Sequence, residues 1–167
     1  IVCAVFEEPA ILVSEALTGL KIVITAGPTR EPIDPVRYIT NRSSGKMGFA
    51  LAAAAQQAGA EVILVTGPVS LATPPGVERV DVETAQEMYD AAHERVENTD
   101  LFIACAAVSD YRPQVPSARK IKRTDSEINL ELTRSLDTLA SVADIDDGPF
   151  TVGFAAETED VARHAAE

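Results

Sequence analysis

Two apolar runs, Lys21–Ala26 and Glu61–Thr66, constrain the fold more than any other feature of this sequence. Both are rich in β-branched side chains, which is typical of strands that are buried on both faces of a parallel sheet. Between them, residues 47–58 are mostly alanine and predict a helix that ends at Gly59 and packs closely on a sheet. Strand, helix and strand together predict a βαβ unit with a right-handed crossover.

The rest of the chain continues this alternation. Short strands are predicted at residues 79–82, 100–106, 128–133 and 150–155, and helices at 84–96, at 136–143 and after 158. This order predicts an α/β fold, with a Rossmann-like, mainly parallel sheet and helices on both faces. We expect residues 1–20 to be a linker or lead-in helix and residues 21–167 to form one domain.

The residues that open the first helix predict a phosphate-binding segment. A helix N-terminus offers free N–H groups and a partial positive charge. Ser43 and Ser44 are both suited to cap it. Arg37 and Arg42 would add cationic charge nearby. An ordinary capped loop with solvated basic side chains would explain the same composition. The predicted segment consists of Ser43, Ser44, Gly45, Lys46, Met47 and Gly48.

Charge and hydropathy exclude several classes of protein. The net charge of −12 argues against a general nucleic-acid surface. No apolar run reaches the roughly 18 residues that a membrane span needs. The two cysteines, Cys3 and Cys105, are not spaced as a metal or redox motif, so we expect a reducing compartment. Cys105 lies in an apolar run and is predicted to be a core residue.

Two familiar nucleotide motifs are incomplete here. Gly45-Lys46 resembles a Walker loop, but Thr40 stands where its first glycine is needed and Met47 where magnesium would need Ser or Thr. A Rossmann dinucleotide site needs G-x-G-x-x-G directly after the first strand, and only Gly27 follows it. A nicotinamide-dependent oxidoreductase therefore stays an alternative that the fold class alone favours.

Several loops are predicted to meet at one edge of the sheet. Ligands of such folds bind at the carboxyl ends of the strands, where residues 27–48, 66–70, 104–112 and 154–158 fall. Asp110 could there bind ribose hydroxyls or Mg²⁺, although by itself its position is better explained by a turn-capping role. The basic run 120–123 is either a solvated loop or a clamp for phosphates. The loop around it, residues 112–127, has few apolar side chains to anchor it.

Several segments of the sequence together resemble a known family. The similarity lies in ITAGPTREPIDPVRYITN at 24–41, SSGKMG at 43–48, AAVSDYR at 106–112, KIKR at 120–123 and VGFAAET at 152–158. In order and spacing these segments resemble bacterial phosphopantothenoylcysteine synthetase, the C-terminal half of a bifunctional decarboxylase/synthetase. The resemblance covers residues 21–167. It implies that residues 1–20 connect to an upstream domain and that the family's domain continues past Glu167, so that this chain is truncated at its C-terminus.

The resemblance also implies the reaction. A ligase of coenzyme A biosynthesis would join 4′-phosphopantothenate to cysteine through an acyl-cytidylate made from CTP, with Mg²⁺. It would be a cytoplasmic homodimer that binds neither nucleic acid nor membrane, and FMN would belong only to the fused decarboxylase. A non-catalytic nucleotide-binding module is the remaining alternative.

The family's site residues carry over by position. The asparagine that handles the acyl-cytidylate falls on Asn41, with a companion arginine on Arg37. To these we add two predictions from the residues themselves, a catalytic role for Lys120 at the α-phosphate and a metal-binding role for the carboxylate of Asp110. The nucleotide-binding ones fall on Ala104, Cys105, Ala106, Asp110, Lys120, Leu136, Asp137, Thr138, Leu139 and Phe154.

Overall fold

The computed structural model describes residues 15–123 and 127–154. Its elements in chain order are β1 Lys21–Ala26, β2 Arg30–Pro32, β3 Tyr38–Thr40, α1 Lys46–Gln57, β4 Glu61–Thr66, β5 Glu78–Asp81, α2 Ala85–His93, β6 Leu101–Ala104, β7 Tyr111–Pro113, β8 Leu132–Arg134, α3 Thr138–Ala143 and β9 Phe150–Gly153. Residues 15–20 form a turn rather than a helix. The remainder of the predicted lead-in segment and the helix predicted after 158 lie outside the described residues.

Five strands form a parallel sheet in the order β5-β4-β1-β6-β9. The chain starts in the middle at β1, builds outward to β5, and returns to add β6 and β9 on the other side. The point between β1 and β6, where the strand order reverses, is the usual ligand crevice of such sheets. The prediction of a Rossmann-like α/β fold is therefore confirmed.

Helices cover both faces of this sheet. Neighbouring residues of β1 point to opposite faces, so that Ile22 and Ile24 pack towards α1, whereas Val23 packs towards α2 and α3. The alanines of α1 let it lie close to the sheet. At its first turn, a Cβ added to Gly48 would lie only 2.5 Å from Cβ of Ala26. Gly48 is therefore required by helix–strand packing.

Two antiparallel hairpins stand apart from the main sheet. β2 pairs with β3 in the proline-containing loop, and β7 pairs with β8. The sequence predicted an extended loop at 27–35 and a strand at 128–133, of which only residues 132 and 133 are in β8. Strands of three residues, two of which end in proline, are too short to produce the alternating pattern by which strands are recognised.

Other boundaries differ by a few residues. The helix predicted at 84–96 ends at His93, but Thr84 caps it as expected, within a capping box with Glu87. The strand predicted as buried at 150–155 is β9 at the edge of the sheet, where the residue Phe150 is 73% exposed. In the described part of the chain, no helix has the length and apolar character needed to cross a membrane.

Candidate active site

A cavity of about 890 Å³ opens where the strand order reverses, at the carboxyl ends of β1 and β6. Its walls come from the strand ends, the residues after β3, the segment after β6, and the segment between β8 and α3. The lining residues are Thr25, Asn41, Arg42, Met88, Ala104, Ala106, Ala107, Val108, Ser109, Asp110, Tyr111, Arg134, Ser135, Leu136, Asp137, Thr138, Leu139 and Phe154.

Half of the predicted site residues meet in this cavity. Those that line it are Asn41, Ala104, Ala106, Asp110, Leu136, Asp137, Thr138, Leu139 and Phe154. Those that are not among the lining residues are Arg37, Ser43, Ser44, Gly45, Lys46, Met47, Gly48, Cys105 and Lys120. The first group spans more than 100 residues of sequence, so the crossover topology alone brings it together.

Thr25 joins the two central strands beneath the cavity. Its Oγ1 accepts hydrogen bonds from the backbone N–H groups of Cys105, at 3.2 Å, and Ala106, at 3.3 Å. These donors lie just past the end of β6, where the ladder with β1 no longer supplies a partner. The burial of the Cys105 thiol raises its pKa, so it stays protonated and is a poor nucleophile.

Asn41 attaches the end of the β2–β3 hairpin to the cavity wall. Its Nδ2 donates a hydrogen bond to the carbonyl oxygen of Val108 at 2.8 Å. Close by, Thr40 Oγ1 donates to the Thr29 carbonyl at 2.6 Å, and the N–H of Ser109 donates to Thr29 Oγ1 at 3.0 Å. The side chain of Asn41 is therefore held at the cavity by a network that leaves the residue exposed to a ligand.

Asp110 supplies an exposed carboxylate to the cavity. Its backbone carbonyl accepts the N–H of Ser135 at 2.8 Å, which ties the start of β7 to the segment before α3. The other lining carboxylate, Asp137, caps α3 by accepting the N–H of Ala140 at 2.9 Å. No cluster of three or more metal-ligating side chains occurs among the described residues. Asp110 nevertheless fits Mg²⁺, which commonly binds one or two carboxylates together with phosphates and water.

Three buried hydroxyl groups in the cavity lack hydrogen-bond partners within the described residues. They belong to Ser109, Ser135 and Thr138. A buried polar group without a partner costs about 1–3 kcal/mol, so these oxygens are suited to bind a polar ligand. The sequence had indicated Thr138 but not the two serines. Their only sequence signal was their position beside Asp110 and Leu136.

Two arginines bring positive charge to the cavity. Arg42 is one of the cationic residues that the sequence places near the start of the first helix. Arg134 was not predicted, because it lies on β8 and the pairing of that strand with β7 has no sequence signal. Among the described residues neither arginine forms an ion pair. Both are therefore available to an anion.

The start of α1 lies at the same edge of the sheet but outside the cavity lining. Its N-cap is Gly45, with φ of 74° and no side-chain cap, so the prediction that Ser43 or Ser44 caps the helix was wrong. Ser43 instead accepts the N–H of Gly45 at 3.3 Å. A Cβ on Gly45 would lie 3.0 Å from a methyl carbon of Val69, which adds a packing reason for glycine. Phosphate binding by this segment stays a prediction.

The basic loop, which we define as residues 119–123, lies outside the cavity lining as well. Lys120 is exposed. The Arg37 guanidinium contacts this loop, because Nη2 donates to the carbonyl oxygen of Ile121 at 2.7 Å. The loop has few apolar side chains to anchor it, and the contacts that hold it to Asp34 and Arg37 are polar.

Several known proteins are similar to this chain in sequence or fold. The family described as DNA/pantothenate metabolism flavoprotein C-terminal domain matches residues 17–167. The coenzyme A biosynthesis bifunctional protein CoaBC of Vibrio parahaemolyticus is 54% identical over 166 residues, which are 98% of this chain and 40% of that protein. CoaBC of Escherichia coli K12 is 54% identical over 155 residues, or 90% of this chain and 38% of that protein.

A solved structure is also similar. The crystal structure of the C-terminal domain of CoaBC superposes with a TM-score of 0.80 and 47% identity, over 92% of this chain and 72% of that one. The chain spans about 40% of the length of the Vibrio parahaemolyticus protein.

Proposed function

This chain belongs to the DNA/pantothenate metabolism flavoprotein C-terminal domain family, and we propose that it ligates 4′-phosphopantothenate to cysteine at the expense of CTP, a step of coenzyme A biosynthesis. The observation that carries the proposal is the cavity at the strand-order reversal. It unites Asn41 and Asp110 with the segment 136–139 and Phe154, the positions that the family resemblance assigns to this chemistry. The similar bacterial proteins are named for coenzyme A biosynthesis.

The proposed reaction has two steps. A carboxylate oxygen of phosphopantothenate attacks the α-phosphorus of CTP, the bond from that phosphorus to the β-phosphate oxygen breaks, and pyrophosphate leaves. The amine of cysteine then attacks the acyl carbon of the cytidylate and loses a proton, and CMP leaves with the electron pair of the acyl–oxygen bond. Neither step is a redox step, so the ligase needs no flavin.

The cavity suits a nucleotide in size and chemistry. Ligand sites commonly occupy about 300–1,000 Å³, and this cavity falls within that range. We propose that Ala104 and Ala106 contact the nucleotide at the cavity wall and that Cys105 contributes its carbonyl oxygen, because its N–H is donated to Thr25. The unpartnered hydroxyls of Ser109, Ser135 and Thr138 contact polar atoms of the nucleotide. Mg²⁺ bound at Asp110 would neutralise phosphate charge. The cations Arg42 and Arg134 would balance the charge that remains.

Three further residues have proposed roles in the chemistry. Asn41 orients the acyl phosphate, and the cavity wall already fixes its side chain. Lys120 approaches the α-phosphate, where a cation stabilises the charge that builds up in the transition state. Because Lys120 does not line the cavity, this role requires the phosphates to extend towards the basic loop. Arg37 assists from that side.

The proposed assembly is a homodimer in the cytoplasm. Val36 and Tyr38 on the proline-containing hairpin are 59% and 45% exposed, which fits an apolar contact with a second subunit. The bifunctional relatives suggest a fused decarboxylase with FMN in the whole protein, and we propose no nucleic-acid or membrane partner. Sedimentation that shows a monomer at micromolar concentration would argue against the dimer.

The decisive experiment is pyrophosphate release. The protein is mixed with CTP, Mg²⁺ and phosphopantothenate, first without cysteine and then with it. We expect release in both cases, with phosphopantothenoylcysteine formed only in the second. Binding of CTP without pyrophosphate release would favour the non-catalytic module. Thermal stabilisation by a nicotinamide cofactor but not by CTP would favour the oxidoreductase.

A further inference from the structure

The carboxylate of Asp34 joins two loops that are distant in sequence. Oδ1 accepts the backbone N–H groups of Val36 and Arg37, each at 2.9 Å. Oδ2 accepts Nε of Arg37 at 3.0 Å and the backbone N–H of Ile121 at 3.1 Å, and it also binds Nη2 of Arg37. The Asp34 side chain is fully inaccessible to solvent, with 0% exposure. A surface loop thus contains a buried carboxylate with five hydrogen bonds.

Arg37 completes the attachment. While it binds Asp34, its Nη2 also donates to the Ile121 carbonyl at 2.7 Å. Both backbone polar groups of Ile121 are therefore held, one by each member of the ion pair. A second contact lies nearby, from the N–H of Ser117 to the Ile33 carbonyl at 2.9 Å. Attachment on both sides of Ile121 fixes the place and the direction of its neighbours, Lys120 and Lys122.

The same hairpin reaches the cavity. Asp34 lies in the turn between β2 and β3, and Asn41 follows directly after β3. Through its hydrogen bond to Val108, Asn41 fixes the base of the hairpin to the cavity wall. One hairpin therefore connects the cavity at its base with the basic loop at its turn.

The chemistry of this pair suits positioning better than stability alone. Burying an ion pair seldom stabilises a fold more than apolar packing would, yet this pair lies in a surface loop and each of its two residues forms a hydrogen bond with Ile121. Burial by itself would raise the pKa of Asp34. The bonds from the Arg37 side chain and from three backbone N–H groups outweigh that effect and hold the pKa well below its usual range. The carboxylate therefore stays charged, and the attachment persists at physiological pH.

We propose that Asp34 is a positioning residue, which acts with Arg37 to hold the basic loop, and Lys120 within it, at a fixed place relative to the cavity. This inference rests on the proposed function, because it takes Lys120 to act on the phosphates of CTP. Asp34 itself does not contact substrate.

The test compares Asp34→Asn with a matched control, Glu31→Gln. The asparagine amide directs N–H donors towards the donors of Arg37 and Ile121, so it breaks the attachment with little change of volume. Glu31 is the other buried carboxylate of the hairpin, but its Oε1 accepts the N–H of Ala85 at 2.9 Å, away from the basic loop. Two quantities are measured: trypsin cleavage after Lys120, Lys122 and Arg123, and pyrophosphate release without cysteine.

We expect Asp34→Asn to be cut in the basic loop about tenfold faster than the native protein, because charge-assisted hydrogen bonds are lost. We also expect a fall of about tenfold or more in kcat for pyrophosphate release, with a smaller change in the KM for CTP. Glu31→Gln should show the native rate of trypsin cleavage and the native rate of pyrophosphate release, after correction for any change in its thermal stability. Equal cleavage of the two variants, or native pyrophosphate release by Asp34→Asn, would overturn the proposal.

A second variant covers the case in which Asp34→Asn does not fold. Ile121→Pro removes the N–H that the carboxylate accepts and leaves the sequence of the hairpin unchanged. Because proline also restricts the backbone around it, Lys122→Pro, which keeps the Ile121 N–H, is its control. Lower pyrophosphate release by a folded Ile121→Pro protein than by Lys122→Pro supports the proposal, and equal release refutes it. If the native protein releases no pyrophosphate with CTP, the proposed function fails. In that case the trypsin comparison still decides whether Asp34 holds the loop.

Discussion

Replacement of Asn41 by aspartate separates catalysis from folding. The native side chain donates one hydrogen bond, to the Val108 carbonyl at 2.8 Å, and the residue is exposed. A neutral hydrogen bond contributes about 0.5–1.5 kcal/mol. For a domain of this size we therefore expect the melting temperature to fall by about 1–6 °C.

The effect on turnover should be much larger. In Asn41→Asp a donor becomes a negative charge at the place proposed for the acyl phosphate. Two like charges about 4 Å apart repel by about 4 kcal/mol at an effective dielectric constant of about 20. That corresponds to a loss of roughly 10³ in the rate of product formation.

The assay pairs thermal unfolding with formation of phosphopantothenoylcysteine. Asn98→Asp serves as the control, since it makes the same charge change at an exposed turn whose φ of 59° aspartate also tolerates. Asn98 precedes β6, whereas the cavity lies beyond the end of that strand. The control should keep native turnover. Native turnover in Asn41→Asp would refute the assignment, and a drop of melting temperature that accounts for the whole loss would show that Asn41 acts through folding.

Three further outcomes are expected. Lys120→Gln should lower pyrophosphate release without cysteine by about 10²–10³-fold at an unchanged melting temperature, whereas Lys122→Gln should have a smaller effect. Native release by Lys120→Gln would indicate that the basic loop is only a solvated surface loop. Arg134→Gln should raise the KM for CTP, and the rise should be larger at low salt than at high salt because salt screens surface charge. Arg112 lies on the adjacent strand and does not line the cavity, so Arg112→Gln should leave the KM unchanged. Equal KM values in the two variants would exclude Arg134 from the site. The folded-state pKa of Asp34 lies below the ordinary value of about 3.9, so its stabilising effect should be complete above about pH 4 and lost as the pH falls further. Chemical denaturation should therefore show a smaller acid-induced loss of stability in Asp34→Asn than in the native protein, and equal losses would contradict this.

The main sheet could be predicted from the sequence because its signal is local. Lys21–Ala26 and Glu61–Thr66 are buried on both faces, and their continuous β-branched runs reflect this directly. Gly59 after α1 and Thr84 before α2 likewise mark the ends of helices through the chemistry of a few residues. The sequence predicted a right-handed crossover between these two strands, whereas the order of all five strands is known only from the structure.

Much of the candidate site was indicated by resemblance, and the fold brought its parts together. Asn41, Asp110 and residues 136–139 are far apart in sequence, and they meet because the strand order reverses between β1 and β6. The only sequence signal of Ser109 and Ser135 is their position beside Asp110 and Leu136, and Arg134 was not predicted as a site residue. They became candidates only when burial, missing partners and cavity lining could be seen together.

The attachment of the basic loop depended on tertiary structure entirely. Its sequence shows polar residues and prolines, which indicate only that the loop lacks apolar anchors. The anchor is a carboxylate 87 residues away from Ile121, and hydrogen-bond pairing over such a separation leaves no periodic trace in a sequence. Burial of apolar side chains determines local patterns and therefore the sheet, whereas the satisfaction of polar groups is settled between distant segments once the chain has folded.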